Sequence, residues 1–243
     1  MSIFRFKQFT VDDSRCGMKI GTDGVLLGSW AHADGAGCII DAGTGSGLIA
    51  LMMAQRYPKT HVTGIDIDEP ATLDAMHNVS LSPWSGRIDI INTDLLNWSP
   101  CNHIPEIEHP ICIVSNPPFF TEALHSPDAA RSLARHGTGF GVETLIQWAA
   151  EIMTRPGDTL SFISPMDRDD NVQYHLSLSR LAATRIADVS PRQDKNPIRR
   201  LYEVTRECDV HSPCHTEHIC IRNLDGSYTS QYSSLTSQFY LDK

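Results

Sequence analysis

Asp41-Ala42-Gly43-Thr44-Gly45-Ser46-Gly47 joins two segments of different period. Before it, Cys38 to Asp41 is a short apolar run of the kind that forms a buried strand. After it, Leu48 to Arg56 repeats its apolar residues at helical spacing. Glycines allow the tight turn and let the backbone approach a ligand closely. A second strand follows at Val62-Thr63-Gly64-Ile65-Asp66 and ends in an acid. Asp66 lies 23 residues after Gly43, near the spacing of a ribose-binding acid in a nucleotide-binding β-α-β unit. Outward from this unit the chain keeps alternating. Strands are expected at 38–41, 61–66, 87–93, 111–115, 158–164, 183–190 and 201–209, and helices at 22–33, 46–56, 69–81, 142–154 and 168–181. The last two strands have only Pro191 to Arg200 between them, so one runs antiparallel. The expected fold is α/β: a doubly wound, mostly parallel seven-stranded sheet, Rossmann-like, with one antiparallel strand. A short N-terminal hairpin and helix (residues 1–35) is expected to precede the main domain, 36–243.

In such a sheet the strand carboxyl ends face one crevice. Gly43, Asp66, Asp94 at the end of the third strand and Asn116 at the end of the fourth would meet there. Asn116-Pro117-Pro118-Phe119 follows the apolar run 111–115. The Asn116 side-chain oxygen and the Pro117 carbonyl are two acceptors that can hold the two hydrogens of one NH2 group. Pro118 restricts Pro117 to extended geometry and so fixes the direction of that carbonyl. Phe119 offers a face on which a planar group can stack. A proline turn capped by a core aromatic would give the same tetrapeptide. The glycine loop differs from a dinucleotide fingerprint in starting with Asp41 and in spacing its glycines by two. That form resembles the class I S-adenosylmethionine (SAM) methyltransferases. The resemblance implies that the loop cradles the methionine part of SAM, that Asp66 holds the ribose, and that Asp94 lies near the adenine amine. Asp68 is an alternative ribose ligand, but before Glu69-Pro70 it reads first as a helix cap.

Length and composition fit one large domain: 243 residues, 41% hydrophobic, with no run of about 20 apolar residues to span a membrane and no signal-peptide core. Seven cysteines without a secretory signal suggest a reducing cytoplasm. The net charge of −9 is unfavourable for a nucleic-acid partner, whose phosphates attract cations. Charge can be segregated, however. Arg192, Lys195, Arg199 and Arg200 lie close in sequence, and Arg131 and Arg135 follow the Asn116 loop. Either group could also be a solvated face. Cys208, His211, Cys214, His215, His218 and Cys220 match no standard zinc spacing, so no metal is expected and the segment reads as a strand and a turn.

The N-terminal run narrows the resemblance. Phe6-Lys7-Gln8-Phe9, then Arg15 through Trp30 (RCGMKIGTDGVLLGSW), together with 41–47, Ser82-Pro83-Trp84, 116–119 and Tyr228 to Leu241, resemble the bacterial tRNA1(Val) adenine N6-methyltransferase family. The resemblance covers nearly the whole chain. It implies SAM as cofactor, tRNA as partner, and transfer of methyl to the exocyclic amine of adenosine 37, beside the anticodon. The Lys19 to Gly24 loop is expected to close over the SAM carboxylate end, with Gly21 allowing close approach and Thr22 and Asp23 supplying polar contacts or a helix cap. Asp41, Gly43, Gly45, Gly47, Asp66, Asp94 and Asn116 complete the expected cofactor set. Asn116, Pro117 and Phe119 form the catalytic group. Pro118, Phe119, Arg131, Arg135, Arg192, Arg199 and Arg200 are candidates for the RNA side, and His136 reads as a surface histidine. Phe119 stands where the family commonly has tyrosine. A protein-glutamine or rRNA-guanine methyltransferase would share the tetrapeptide. A non-catalytic SAM- or RNA-binding module is the remaining alternative, and the intact motifs argue against it.

Overall fold

The computed structural model describes residues 3–100, 109–119 and 140–241. A hairpin, β1 (Ile3–Arg5) and β2 (Thr10–Asp12), leads into α1 (Thr22–Trp30). Then follow β3 (Cys38–Ala42), α2 (Leu48–Arg56), β4 (His61–Asp66), α3 (Glu69–Ser80), β5 (Ile88–Asn92) and β6 (Ile111–Ser115). The described chain continues with α4 (Val142–Ile152), β7 (Thr159–Pro165), α5 (Asp169–Leu178), β8 (Leu181–Arg192), β9 (Arg199–Arg206), β10 (His215–Arg222) and α6 (Ser230–Thr236).

The main sheet runs β10-β8-β9-β7-β6-β3-β4-β5. All neighbours pair in parallel except β9, which is antiparallel to both β7 and β8. The doubly wound sheet with a single antiparallel strand is therefore as expected, but it has eight strands rather than seven. The eighth is β10, out of the cysteine-histidine segment, added parallel to the edge of β8. Its alternation is weak because His215-Thr216-Glu217-His218 is polar throughout and Ile219 is its one fully buried residue. An edge strand offers unpaired backbone groups to other chains. Here Gln231 covers part of that edge, accepting from Cys220 N at 3.3 Å and donating to the His218 carbonyl at 2.8 Å.

The two sheet faces carry separate cores, as the two-residue period of a strand requires. On β3, Ile39 joins one core while Cys38, Ile40 and Ala42 join the other. The first core is built with α1, α2 and the aromatics of both chain ends, and the second with α4 and α5. All five residues of β3 are buried, as are all five of its neighbour β6, and each fully buried Ile contributes roughly 1.5–3 kcal/mol. The N-terminal segment is part of the first core: Val25, Leu26, Leu27 and Trp30 of α1 are all buried. The hairpin is tied to the other end of the chain, where Lys7 N donates to the Phe239 carbonyl at 2.8 Å and Phe6 stacks on Phe9 with ring centroids 4.6 Å apart.

Candidate active site

Three segments meet at the carboxyl ends of β3, β4 and β6. They are the Gly43–Ser46 loop, the backbone from Met18 to Gly21 with Gly24, and Asn116, and they line an open cleft of about 410 Å³. Gly43, Gly45 and Gly47 all have positive φ (72°, 54° and 80°), a conformation that any side chain would strain. The loop is anchored to β4: Gly43 N and Thr44 N both donate to the Ile65 carbonyl at 2.9 Å. Gly64 permits this approach, since a Cβ there would lie 2.8 Å from Thr44 Oγ1.

Asp41 is fully buried beneath the loop and does not line the cleft. Its Oδ2 accepts from Thr44 Oγ1 at 2.7 Å and from Ala50 N at 2.9 Å, so it ties loop to helix α2. Its Oδ1 is buried with no donor among the described residues. Burial pushes its pKa up to about 7 against the pull of these two hydrogen bonds. Asp41 thus shapes the glycine loop from below. Asp66 turns both oxygens to backbone: Oδ2 accepts from Gly45 N at 2.8 Å and Oδ1 from Asp68 N at 2.9 Å. Asp68 sits at the N-cap position of α3 without a side-chain cap bond. Asp94 caps a short 3-10 turn after β5, accepting from Leu96 N at 3.0 Å.

The N-terminal loop is held by residues that the sequence reading passed over. Asp74 Oδ2, on α3, accepts from Arg15 N at 2.7 Å and Cys16 N at 3.0 Å. Asn78, one turn on, accepts from Asp12 N and donates to the carbonyls of Asp12 and Ser46. Asp13 accepts from Ile20 N at 2.8 Å. Asp74 and Asn78 fall within the buried stripe Ala71, Ala75, Val79 of α3. A polar residue on an apolar stripe must find a partner, and that was the signal available. Lys19 points back into its own loop, with Nζ donating to the carbonyls of Asp13 and Cys16. Gly21, and not Thr22 or Asp23, occupies the N-cap of α1, in extended backbone with φ −135°. Asp23 instead faces Arg199, whose Nε donates to its Oδ2 at 2.9 Å.

On the other side of the cleft, Asn116 ends β6. Its Oδ1 is buried without a donor among the described residues, and Met18 Sδ lies 3.8 Å from Nδ2. Pro117 is buried, while Pro118 and Phe119 are half-buried. The Arg199 guanidinium lies over the Phe119 ring, 5.2 Å from its centroid. Arg200 is committed elsewhere, at 2.7 Å from Asp169 and 2.6 Å from Asp188. Arg192 is exposed and forms a two-pronged pair with Asp194 at 2.5 and 2.7 Å. Arg131, Arg135 and His136 lie outside the described residues. Among the described residues no three His, Cys, Asp or Glu side chains converge as a metal site would require. In the cysteine-histidine segment, His218 Nε2 lies 2.9 Å from Ser190 Oγ.

A family model described as "Methyltransferase small domain" matches residues 16–140. Proteins named tRNA1(Val) (adenine(37)-N6)-methyltransferase match almost end to end. The one from Porphyromonas gingivalis is 42% identical, covering 98% of this chain and 94% of its own. Those of Bacteroides thetaiotaomicron and Vibrio cholerae are 38% and 36% identical, again over 98% of this chain and 97% and 95% of theirs. The chain belongs to the tRNA1(Val) (adenine(37)-N6)-methyltransferase family. A solved structure of a predicted O-methyltransferase from Agrobacterium tumefaciens shares the fold, with a TM-score of 0.66 at 22% identity, covering 89% of this chain and 96% of that one. For this methyltransferase the cleft fits SAM. Gly21, Gly43 and Gly45 line it without side chains, and Asn116 Oδ1, an acceptor with no donor among the described residues, stands at its edge.

Proposed function

We propose that this methyltransferase transfers a methyl group to N6 of adenosine 37 in tRNA1(Val). The observation that carries the reading is the buried Asn116 Oδ1, without a donor among the described residues, beside the glycine cradle. A buried acceptor without a donor costs about 1–3 kcal/mol, a cost that an incoming N–H removes. The near full-length relatives named for this reaction support the same reading.

SAM supplies an electrophilic methyl on its sulfonium. Asn116 Oδ1 and the Pro117 carbonyl accept the two hydrogens of N6. Adenine delocalises the N6 lone pair into its ring, which makes the amine a weak nucleophile. Two acceptors favour a tetrahedral nitrogen and stabilise the positive charge that develops on it. Phe119 stacks the base once it leaves the RNA stack. Holding the nitrogen in line supplies on the order of 7–11 kcal/mol, as for other well-oriented reactants. The surplus proton on the methylated nitrogen passes to water, the second product is S-adenosyl-L-homocysteine, and no metal is required.

The cradle of Gly21, Gly43, Gly45 and Gly47 would hold the cofactor, with Thr22, Asp66 and Asp94 as its polar contacts. Lys19, Asp23 and Asp41 hold the surrounding loops in place. Arg131, Arg135 and Arg192 are the candidates for tRNA contact. Arg200 joins them only if it leaves its two carboxylates. No described helix is long and apolar enough to cross a membrane, and the cytoplasm, where tRNA is modified, is the proposed location. The test is incubation with methyl-labelled SAM and separate unmodified tRNA, rRNA and release factor. Label should appear as N6-methyladenosine in tRNA and vanish with Asn116→Ala. Label in protein glutamine or rRNA guanine would keep the chemistry and overturn the substrate.

A further inference from the structure

Arg199 is the first residue of β9, the strand that runs antiparallel to its neighbours in the described main sheet, and pairs with Pro165 at the carboxyl end of β7. Because β9 runs against its neighbours, its first residue reaches the edge where the other strands end. From there the Arg199 side chain makes two contacts that join the halves of the cleft. Nε donates to Asp23 in the first turn of α1, the helix whose N-terminal backbone lines the cofactor cradle. The guanidinium carbon also lies over the ring of Phe119, 5.2 Å from its centroid. Nη1 donates to the Ile198 carbonyl at 3.1 Å, which fixes the guanidinium further. Only about 29% of the Arg199 side-chain surface is exposed, far from the profile of a free phosphate-binding arginine.

We infer that Arg199 is a positioning residue that sets the angle of the Phe119 ring against α1, rather than a grip on the tRNA backbone. The inference rests on the proposed adenine N6 transfer. A guanidinium is suited to the task because one planar group can hydrogen-bond a carboxylate through its edge while stacking on an aromatic face. Lysine can do either but not both. With one ring face covered by Arg199, the base has the opposite face for stacking. The ring's tilt then decides whether N6 meets the Asn116 and Pro117 acceptors. Tyrosine at position 119 could fix its own angle through its hydroxyl, whereas phenylalanine has no polar handle and depends on what lies over it.

The test is steady-state kinetics on unmodified tRNA1(Val) transcript with Arg199→Met, Arg199→Lys and Phe119→Leu, alone and with Arg199→Met combined with Phe119→Leu. SAM affinity by calorimetry and thermal melting run alongside. Arg199→Met should lower kcat on the order of ten- to a hundredfold, the size of loss that small misplacements cause. KM for tRNA and its salt dependence should stay within about threefold, since no phosphate contact is lost. Arg199→Lys should recover part of kcat. Adding Arg199→Met to Phe119→Leu should cost little more, because the two act through one geometry. A raised tRNA KM with a shallower salt slope and unchanged kcat would overturn the inference and make Arg199 a phosphate contact. Full additivity of the two substitutions would overturn it as well. Wild-type protein that binds SAM but leaves tRNA unlabelled would sink the function reading itself, a result distinct from either.

Discussion

The two sides of the cleft are finished to different degrees. On the side of the glycine loop the described backbone is tied down by several side chains. Asp74, Asn78, Asp13 and Asp66 together fix the N-terminal loop and the glycine loop with short hydrogen bonds. On the base side, Asn116 has an acceptor with no donor among the described residues, and Phe119 is steadied by a cation over its ring. The contrast implies an order of tolerance. Damage to the cofactor side should be felt in stability and SAM affinity. Damage to the base side should be felt in turnover.

The largest effect expected is that of Asn116→Ala. Loss of an acceptor for the charge developing on N6 should reduce kcat by roughly 10²–10³, as for other preorganised polar groups. SAM affinity by calorimetry should change little, and a collapse of SAM binding instead would erase the contrast between the two sides. Next comes Asn78→Ala on the opposite side. It strands the backbone of Asp12 and the carbonyl of Ser46, at a cost of about 1–3 kcal/mol per unsatisfied group. Thermal unfolding should move down by several degrees and SAM affinity fall about tenfold, with kcat at saturating SAM nearly intact.

Asp41 sharpens the contrast through pH. Its folded pKa of about 7 lies above the ordinary carboxylate value of 3.8, so the native state holds a proton that the unfolded chain has released. Below pH 4 both states are protonated and the burial costs nothing. As pH rises towards 7 stability falls, and above 7 the penalty is complete. Asp41→Asn in ligand-free protein should flatten the denaturant midpoint between pH 4.5 and 7.5, and a slope equal to wild type would remove Asp41 as its source. The smallest effect is reserved for Arg192→Ala. Its pair with Asp194 is exposed and contributes little to stability. If Arg192 touches tRNA, KM should rise a few-fold and the salt slope shrink by about one, with melting temperature unchanged.

Most strands and the candidate tetrapeptide could be picked out in the sequence because each is a local pattern. Strand 111–115 and the turn after it sit in one short stretch, and the glycine loop lies between two strongly periodic segments. What could not be read was contact at a distance. Asp74 and Asn78 act on residues 12, 15, 16 and 46, far from them in sequence. Arg199 and Arg200 are adjacent and looked alike, yet consecutive strand residues point to opposite faces. Arg200 therefore joins Tyr202 in binding Asp169, while Arg199 turns to Asp23 and Phe119. Strand β10 escaped because it is amphipathic only at Ile219, and the count of seven strands became eight.

The direction of β9 also has a meaning in time. Among the described residues, those lining the cleft precede Pro117 in the chain, whereas Arg199 is made much later. A ribosome releases the chain from its N-terminus, so the pieces of the cofactor cradle emerge well before the strand that must thread between β7 and β8. Until that strand arrives β7 keeps a bare edge, and the ring of Phe119 has no arginine over it. The strand that inserts between β7 and β8 thus also brings the arginine that lies over Phe119, so the order of synthesis separates the glycine-loop side of the cleft from the Phe119 side.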